Sequence, residues 1–162
     1  MHDAQDAVRV AEAGDAAAAA ALLHAFNVEF DTPTPEPGVL ARRLRAMLAR
    51  DDVLLLLSGD PPVALALMTF RPVVWDAGPV ALLDELYVQH GLRRRGIGGS
   101  LLGRAVDAAR ARGTETFEIN VDEGDTDARR FYEAHGFALT EPGRDERAMY
   151  YVRRLVDDAG AG

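Results

Sequence analysis

From Leu86 to Ser100 the chain reads Leu-Tyr-Val-Gln-His-Gly-Leu-Arg-Arg-Arg-Gly-Ile-Gly-Gly-Ser, which gathers Arg93, Arg94, Arg95, Gly96, Ile97, Gly98, Gly99 and Ser100 ahead of an apolar helical run. Gly96, Gly98 and Gly99 can take φ values that other residues resist and let the backbone approach a ligand closely. The helix start behind them points unpaired N–H groups forward, and the arginines add charge beside it. A diphosphate suits this cradle, because its oxygens can accept from successive N–H groups while the helix dipole and guanidinium groups offset its charge. Spacing argues against two common phosphate loops. The P-loop needs Gly-Lys-Ser/Thr, and the sequence has no Lys. The dinucleotide fingerprint G-x-G-x-x-G finds its first two glycines in Gly96 and Gly98, but Leu101 stands in the third place.

Other chemistries are bounded by composition. The absence of Cys removes disulfides, thiolate metal sites and a cysteine nucleophile. The four His residues show no metal-ligand spacing, so no metal is expected. A net charge of −8 speaks against nucleic acid as a partner and leans toward a cationic substrate, although acidity also serves solubility. No apolar run approaches membrane-spanning length, and Met1 to Asp6 lacks the features of a signal peptide, so a soluble cytoplasmic protein is expected. The 162 residues suit one domain, with a core from about residue 8 to 155.

The elements that must position the cradle follow from periodicity. Val8-Arg9-Val10 reads as a short strand, and Asp15 as the cap of a helix running from Ala16 through Phe26. Prolines 33, 35 and 37 make Asp31 to Gly38 a loop. A second helix follows, with Leu40, Leu44, Met47 and Leu48 on one side and Arg42, Arg43 and Arg45 on the other. Val53 to Leu57 and Val63 to Phe70 form an antiparallel hairpin, and Val80 to Val88 is the strand that feeds the glycine loop. Helical spacing then runs from Ile97 to a C-terminal Gly113 and is followed by a strand over Thr116 to Val121, which makes a βαβ unit. Asp125-Thr126-Asp127 caps a short helix ending at Gly136. Phe137 to Leu139 and Ala148 to Leu155 read as a last strand pair, and Asp157 to Gly162 as a frayed tail. The fold class expected is α/β: one mixed, mostly antiparallel sheet with a central βαβ unit and helices on both faces.

Arg93-Arg94-Arg95-Gly96-Ile97-Gly98 directly after a strand resembles the acyl-coenzyme A signature of the GNAT acetyltransferase superfamily, Arg/Gln-x-x-Gly-x-Gly/Ala. A second motif of that family, Asn-x-x-Ala-x-x-x-Tyr followed by Gly-Phe, finds Ala128, Tyr132, Gly136 and Phe137 in register, with Asp125 in the Asn place. The order of elements agrees with the family's over most of the chain. The resemblance implies an N-acetyltransferase that moves the acetyl group of acetyl-CoA to a primary amine by direct attack in a ternary complex, with no metal. Arg93 to Ser100 would hold the diphosphate. Leu86, Tyr87 and Val88 would align the pantetheine arm, with the Val88 N–H on the thioester carbonyl. Asn120, Asp125 and Ala128 would lie along the cofactor's path.

A lysine-like amine with a pKa of about 10.4 is free base in only roughly one molecule in 2,500 at neutral pH, so it must lose a proton to attack. Asp84 and Glu85 are the carboxylates of the strand leading into the loop, and either could serve as general base. Strand alternation lets only one face the amine; Glu85 is slightly preferred, and an ordinary salt bridge explains either equally well. Tyr132 matches the family's general acid for the departing thiolate, against the plain alternative that its ring only packs. Asn27, Glu29, Phe30 and Asp31 lie where family members shape the acceptor site, and Trp75 could add a wall. Two acids beside an aromatic favour a small cationic amine over a protein, though a solvated loop explains the same residues. Family members often dimerise, so a homodimer is possible. A non-catalytic acyl-CoA-binding sensor or interaction module is the competing reading.

Overall fold

The computed structural model describes residues 7–156; the N-terminal Met1 to Asp6 and the tail Asp157 to Gly162 lie outside them. By internal contacts the chain divides after Asn120 into two compact units.

In the first unit the strands β1 (Val8–Val10), β2 (Val53–Ser58), β3 (Ala64–Arg71), β4 (Val80–Val88) and β5 (Phe117–Ile119) form one sheet in sequence order. The first three junctions are antiparallel and the last, β4 with β5, is parallel. Three helices accompany them: α1 (Ala16–Glu29), α2 (Pro37–Leu48) and α3 (Ile97–Ala111). The mixed α/β class expected from the sequence is the one observed.

β2 is buried at every position because both of its faces are covered. Val53, Leu55, Leu57, Leu65, Leu67 and Tyr87 pack with Ala16, Ala19, Ala20 and Leu22 of α1 and Leu44 of α2. The alternate set Leu54, Leu56, Ala66, Met68, Ala81 and Leu83 points the other way, toward the side on which α3 buries Ile97, Leu101, Leu102, Ala105 and Ala109. The alanine-rich stretch of α1 thus supplies small side chains that are themselves fully buried at Ala16, Ala19 and Ala20.

Two local expectations change. Asp15 ends a 3₁₀ turn over Ala13–Asp15 and makes no side-chain cap to α1. It accepts from the Glu12 N–H at 2.8 Å and takes both ends of the Arg9 guanidinium at 2.8 Å. Pro37 and Gly38 belong to the first turn of α2, where Pro at N1 costs no hydrogen bond that the helix would otherwise make.

In the second unit, α4 (Thr126–Ala134) is capped by Asp125, whose side chain accepts from the Ala128 N–H at 3.0 Å. The strand pair expected at Phe137 to Leu139 and Ala148 to Leu155 is absent among the described residues. A single bridge, Thr140↔Arg147, and a bond from the Ala148 N–H to the Leu139 carbonyl at 2.8 Å are what forms. A run of apolar and aromatic residues favours a strand but names no partner for it, and a lone pair of strands gains little in water. Met149, Tyr151 and Val152 are accordingly exposed.

Candidate active site

β4 holds the two carboxylates, and its pairing with β3 is irregular. Leu67 lies opposite Glu85 while the next residue, Met68, lies opposite Leu83, so Asp84 is an extra residue in a β-bulge. Glu85 faces the side of the sheet that carries α1 and α2, because it is opposite Leu67 and two residues from Tyr87, both members of that cluster. Thr69, two residues on from Leu67, faces the same way, and its Oγ1 donates to Asp84 Oδ2 at 2.8 Å. Strict alternation, which would send only one carboxylate to that face, is therefore corrected by the bulge. Both are there. Burial raises the Glu85 carboxyl above its ordinary value and the Asp84 charge raises it further. Burial also raises Asp84, against the opposing pull of the Thr69 hydrogen bond.

The strand edge beside them is open on one side. β4 and β5 pair through Ala81↔Phe117, Leu82↔Glu118 and Leu83↔Ile119. Past Leu83 no described strand continues that ladder, so Leu86, Tyr87 and Val88 offer an edge to which an extended ligand can add. Asn120, just after β5, is exposed.

After β4 a 3₁₀ turn, His90–Leu92, leads into the glycine loop. Of the three glycines only Gly96 takes the left-handed conformation, with φ of 87°. Gly98 and Gly99 lie instead in the first turn of α3, where the absence of side chains keeps the approach to the helix start open. Arg94 also has positive φ, 63°, a conformation that costs a side-chain-bearing residue about 1 kcal/mol or more. The Ser100 N–H donates to the Gly96 carbonyl at 2.9 Å, so the N–H groups of Ile97, Gly98 and Gly99 come before the first intrahelical acceptor. This geometry fits a diphosphate, with Arg94 and Arg95 exposed alongside.

Arg93 behaves differently from its two neighbours. Its Nε donates to the Val88 carbonyl at 3.0 Å, its Nη2 donates to Glu29 Oε2 at 2.8 Å, and its Nη1 lies 2.6 Å from Glu29 Oε1. The Tyr87 hydroxyl also donates to Glu29 Oε2, at 3.0 Å, and His90 Nδ1 lies 3.2 Å from Oε1. Arg93 holds the Glu29 carboxyl below its usual range, with smaller help from Tyr87 and His90. Burial raises the Tyr87 phenol, and the Glu29 carboxylate adds to that. Phe26 stacks on Tyr87 with centroids 5.0 Å apart and meets Phe30 edge-on at 5.2 Å, while the Arg93 guanidinium lies 5.5 Å from the Tyr87 ring centre.

The end of α1 thus comes to the end of β4. Glu29 and Phe30 join the cluster just described, Asn27 gives its carbonyl to the Thr32 N–H at 2.8 Å, and Asp31 has φ of 51°. Trp75 does not join them. It sits in the connection before β4, at the opposite end of the strand from Val88, and the residue is 90% exposed. Thr69 was missed from sequence because nothing local marks it. The bulge did leave a signal, two consecutive acids inside an otherwise apolar strand.

In the second unit Tyr132 lies on α4, with its ring 5.2 Å from Phe131 and 6.0 Å from Phe137 between centroids. Asp125 spends one carboxylate oxygen on the α4 cap. No group of metal-ligating side chains occurs among the described residues.

Comparison with known proteins bears on the fold and the family. A protein from Arthrobacter sp. FB24, of the acetyltransferase class, has a crystal structure that superposes with a TM-score of 0.86 at 52% identity, over 92% of this chain and 96% of that one. Mycothiol acetyltransferase of Beutenbergia cavernae is 39% identical over 67 residues, 40% of this chain and 23% of that protein. Aminoglycoside N(6')-acetyltransferase type 1 of Serratia marcescens is 29% identical over 80 residues, 49% of this chain and 51% of that protein. The chain therefore spans at most about half the length of these two relatives. The model of the Acetyltransferase (GNAT) family matches residues 19–137, and the chain belongs to that family.

Proposed function

We propose that this chain is a single-domain N-acetyltransferase that transfers the acetyl group of acetyl-CoA to the primary amine of a small cationic molecule, by direct attack within a ternary complex. The observation that carries this reading is the bulge in β4, with Asp84 and Glu85 on one face of the sheet beside a strand edge left open beyond Leu83. Acetyl-CoA belongs with the family as cosubstrate. Its diphosphate is assigned to the backbone from Gly96 to Ser100 with Arg94 and Arg95, and its pantetheine arm to the β4 edge at Leu86, Tyr87 and Val88. Asn120 lies along the same path.

Glu85 is the base. A carboxylate raised by burial and by a neighbouring charge accepts a proton from an ammonium more readily than an ordinary one. Attack by the amine nitrogen then forms the C–N bond as the C–S bond breaks, while the Val88 N–H donates to the carbonyl oxygen where charge develops. Tyr132 is the residue assigned to return a proton to the thiolate. A small cationic acceptor is favoured because the two curated relatives are named for small molecules and because two acids stand at the reacting strand. Asn27, Phe30 and Asp31 are the assigned acceptor contacts.

Initial rates with acetyl-CoA and amine both varied test the mechanism. Intersecting double-reciprocal lines are expected for direct transfer; parallel lines would mean a covalent acyl-enzyme and contradict it.

A further inference from the structure

Arg93 belongs by position to the arginine-glycine loop, yet its side chain leaves that loop. Three of its N–H groups reach back, one to the carbonyl of Val88 at 3.0 Å and two to the carboxylate of Glu29 at 2.6 and 2.8 Å. Val88 is the last residue of β4 and Glu29 the last of α1, so one guanidinium joins a strand end, a helix end and a loop. The pairing is a fork on a fork, the geometry that only arginine supplies. It is partly shielded, with Glu29 24% and Arg93 34% exposed at the side chain. The Tyr87 hydroxyl fixes Glu29 from the β4 side, and the rings of Tyr87 and Phe30 flank the guanidinium at 5.5 and 6.0 Å. Directly after Arg93 comes Arg94, a side-chain-bearing residue at positive φ, 63°. Such backbone persists only where its surroundings hold it.

We propose that Arg93 and Glu29 form a bracket that positions the glycine loop and Val88 for the donor, so that Arg93 is a positioning residue and not a ligand of the diphosphate. Glu29, an acid that by its place on α1 could have met a cationic acceptor, is used up in the bracket. The end of α1 and the donor loop are thereby one mechanical piece: a change in one is felt in the other. This inference rests on the acetyl-CoA reading given above.

The sign of one substitution decides between bracket and ligand. If Arg93 bound the diphosphate directly, Glu29 would compete for it, and Glu29→Gln would leave coenzyme A binding unchanged or tighter. As a bracket, Glu29→Gln loosens the loop and weakens coenzyme A by about fivefold to tenfold, the net worth of an ordinary, partly exposed hydrogen-bonded contact. Arg93→Lys keeps the charge but not the fork, and is expected to weaken binding by a similar factor. The double variant is expected to be no worse than the weaker single one, because both remove the same contact. Calorimetric titration of coenzyme A into the full-length wild type and the three variants, with thermal unfolding to confirm that each is folded, reads all of this. Tyr87→Phe, which keeps the packing and removes one bond to Glu29, provides a milder variant expected to shift binding in the same direction. Unchanged or tighter binding by Glu29→Gln, full rescue by Arg93→Lys, or additive losses in the double variant would overturn the bracket. A wild-type chain that bound no coenzyme A would instead overturn the reading beneath it, and the bracket's role with it.

Discussion

Thr69 donates from Oγ1 to Asp84 Oδ2 at 2.8 Å, and this bond ties the extra residue of the β4 bulge to the neighbouring strand. It holds one carboxylate beside another. Asp84 gains a donor that favours its ionised form, while Glu85, opposite Leu67, has its carboxyl raised by burial and by Asp84. Burial raises both carboxyls, and the Thr69 hydrogen bond opposes that rise at Asp84.

Glu85→Gln is expected to lower kcat by roughly 10² to 10⁴, the usual worth of a positioned base, with a smaller effect on the KM for acetyl-CoA. Asp84→Asn is expected to keep more activity and to change its pH profile. Glu85 must be ionised to act, so kcat/KM falls as the pH drops through its raised pKa. Removing the Asp84 charge eases ionisation and moves that acid limb to lower pH. A limb that stayed in place would separate the two carboxylates.

The same raised pKa has a cost in stability. A folded carboxyl whose pKa lies above the unfolded value binds more protons in the folded state between the two, so stability falls as pH rises through that window. At neutral pH Glu85→Gln is therefore expected to raise Tm. The gain should vanish below the ordinary glutamate pKa. Thermal unfolding at two pH values measures it.

Asp15 provides the opposite case. Its hydrogen bonds from Arg9, then from the Glu12 N–H, lower its pKa to about 2. Its contribution is fully present above the unfolded aspartate value and is lost as pH falls through the folded one. Arg9 is 43% exposed at the side chain, so solvent screening keeps the pair's worth small. Asp15→Asn is expected to cost roughly 0.5 to 1 kcal/mol in urea unfolding at pH 7. The difference should shrink steadily toward pH 2.

Trp75→Ala is expected to change kcat/KM by less than about twofold, since the ring lies at the far end of β4 and surface substitutions seldom propagate. Tyr132→Phe, by contrast, should lower kcat while leaving coenzyme A affinity nearly unchanged. Steady-state kinetics and calorimetric titration separate the two effects.

What could be read in the sequence was local. Gly96, Gly113 and Gly136 occupy left-handed positions at helix ends, and Asp125 caps α4, because turn and cap chemistry depends on a few adjacent residues. The bulge at Asp84 depends on which residue of β3 lies opposite, so strand alternation alone gave the wrong facing. Arg93 and Glu29 are 64 positions apart, and no periodicity announces their meeting. The last strand pair failed for the converse reason: Ala148 to Val152 is a run of apolar and aromatic residues such as strands favour, but a ladder needs a partner that a local pattern cannot supply.

The most direct test of acetyl transfer is release of free thiol from acetyl-CoA when a panel of small cationic amines is added to the full-length chain. Thiol release with at least one amine, abolished to near background in Glu85→Gln at neutral pH, is the result expected. No release with any small amine, lysine peptide or peptide N-terminus, from a chain that binds acetyl-CoA, would contradict it and leave a protein that holds the donor without using it.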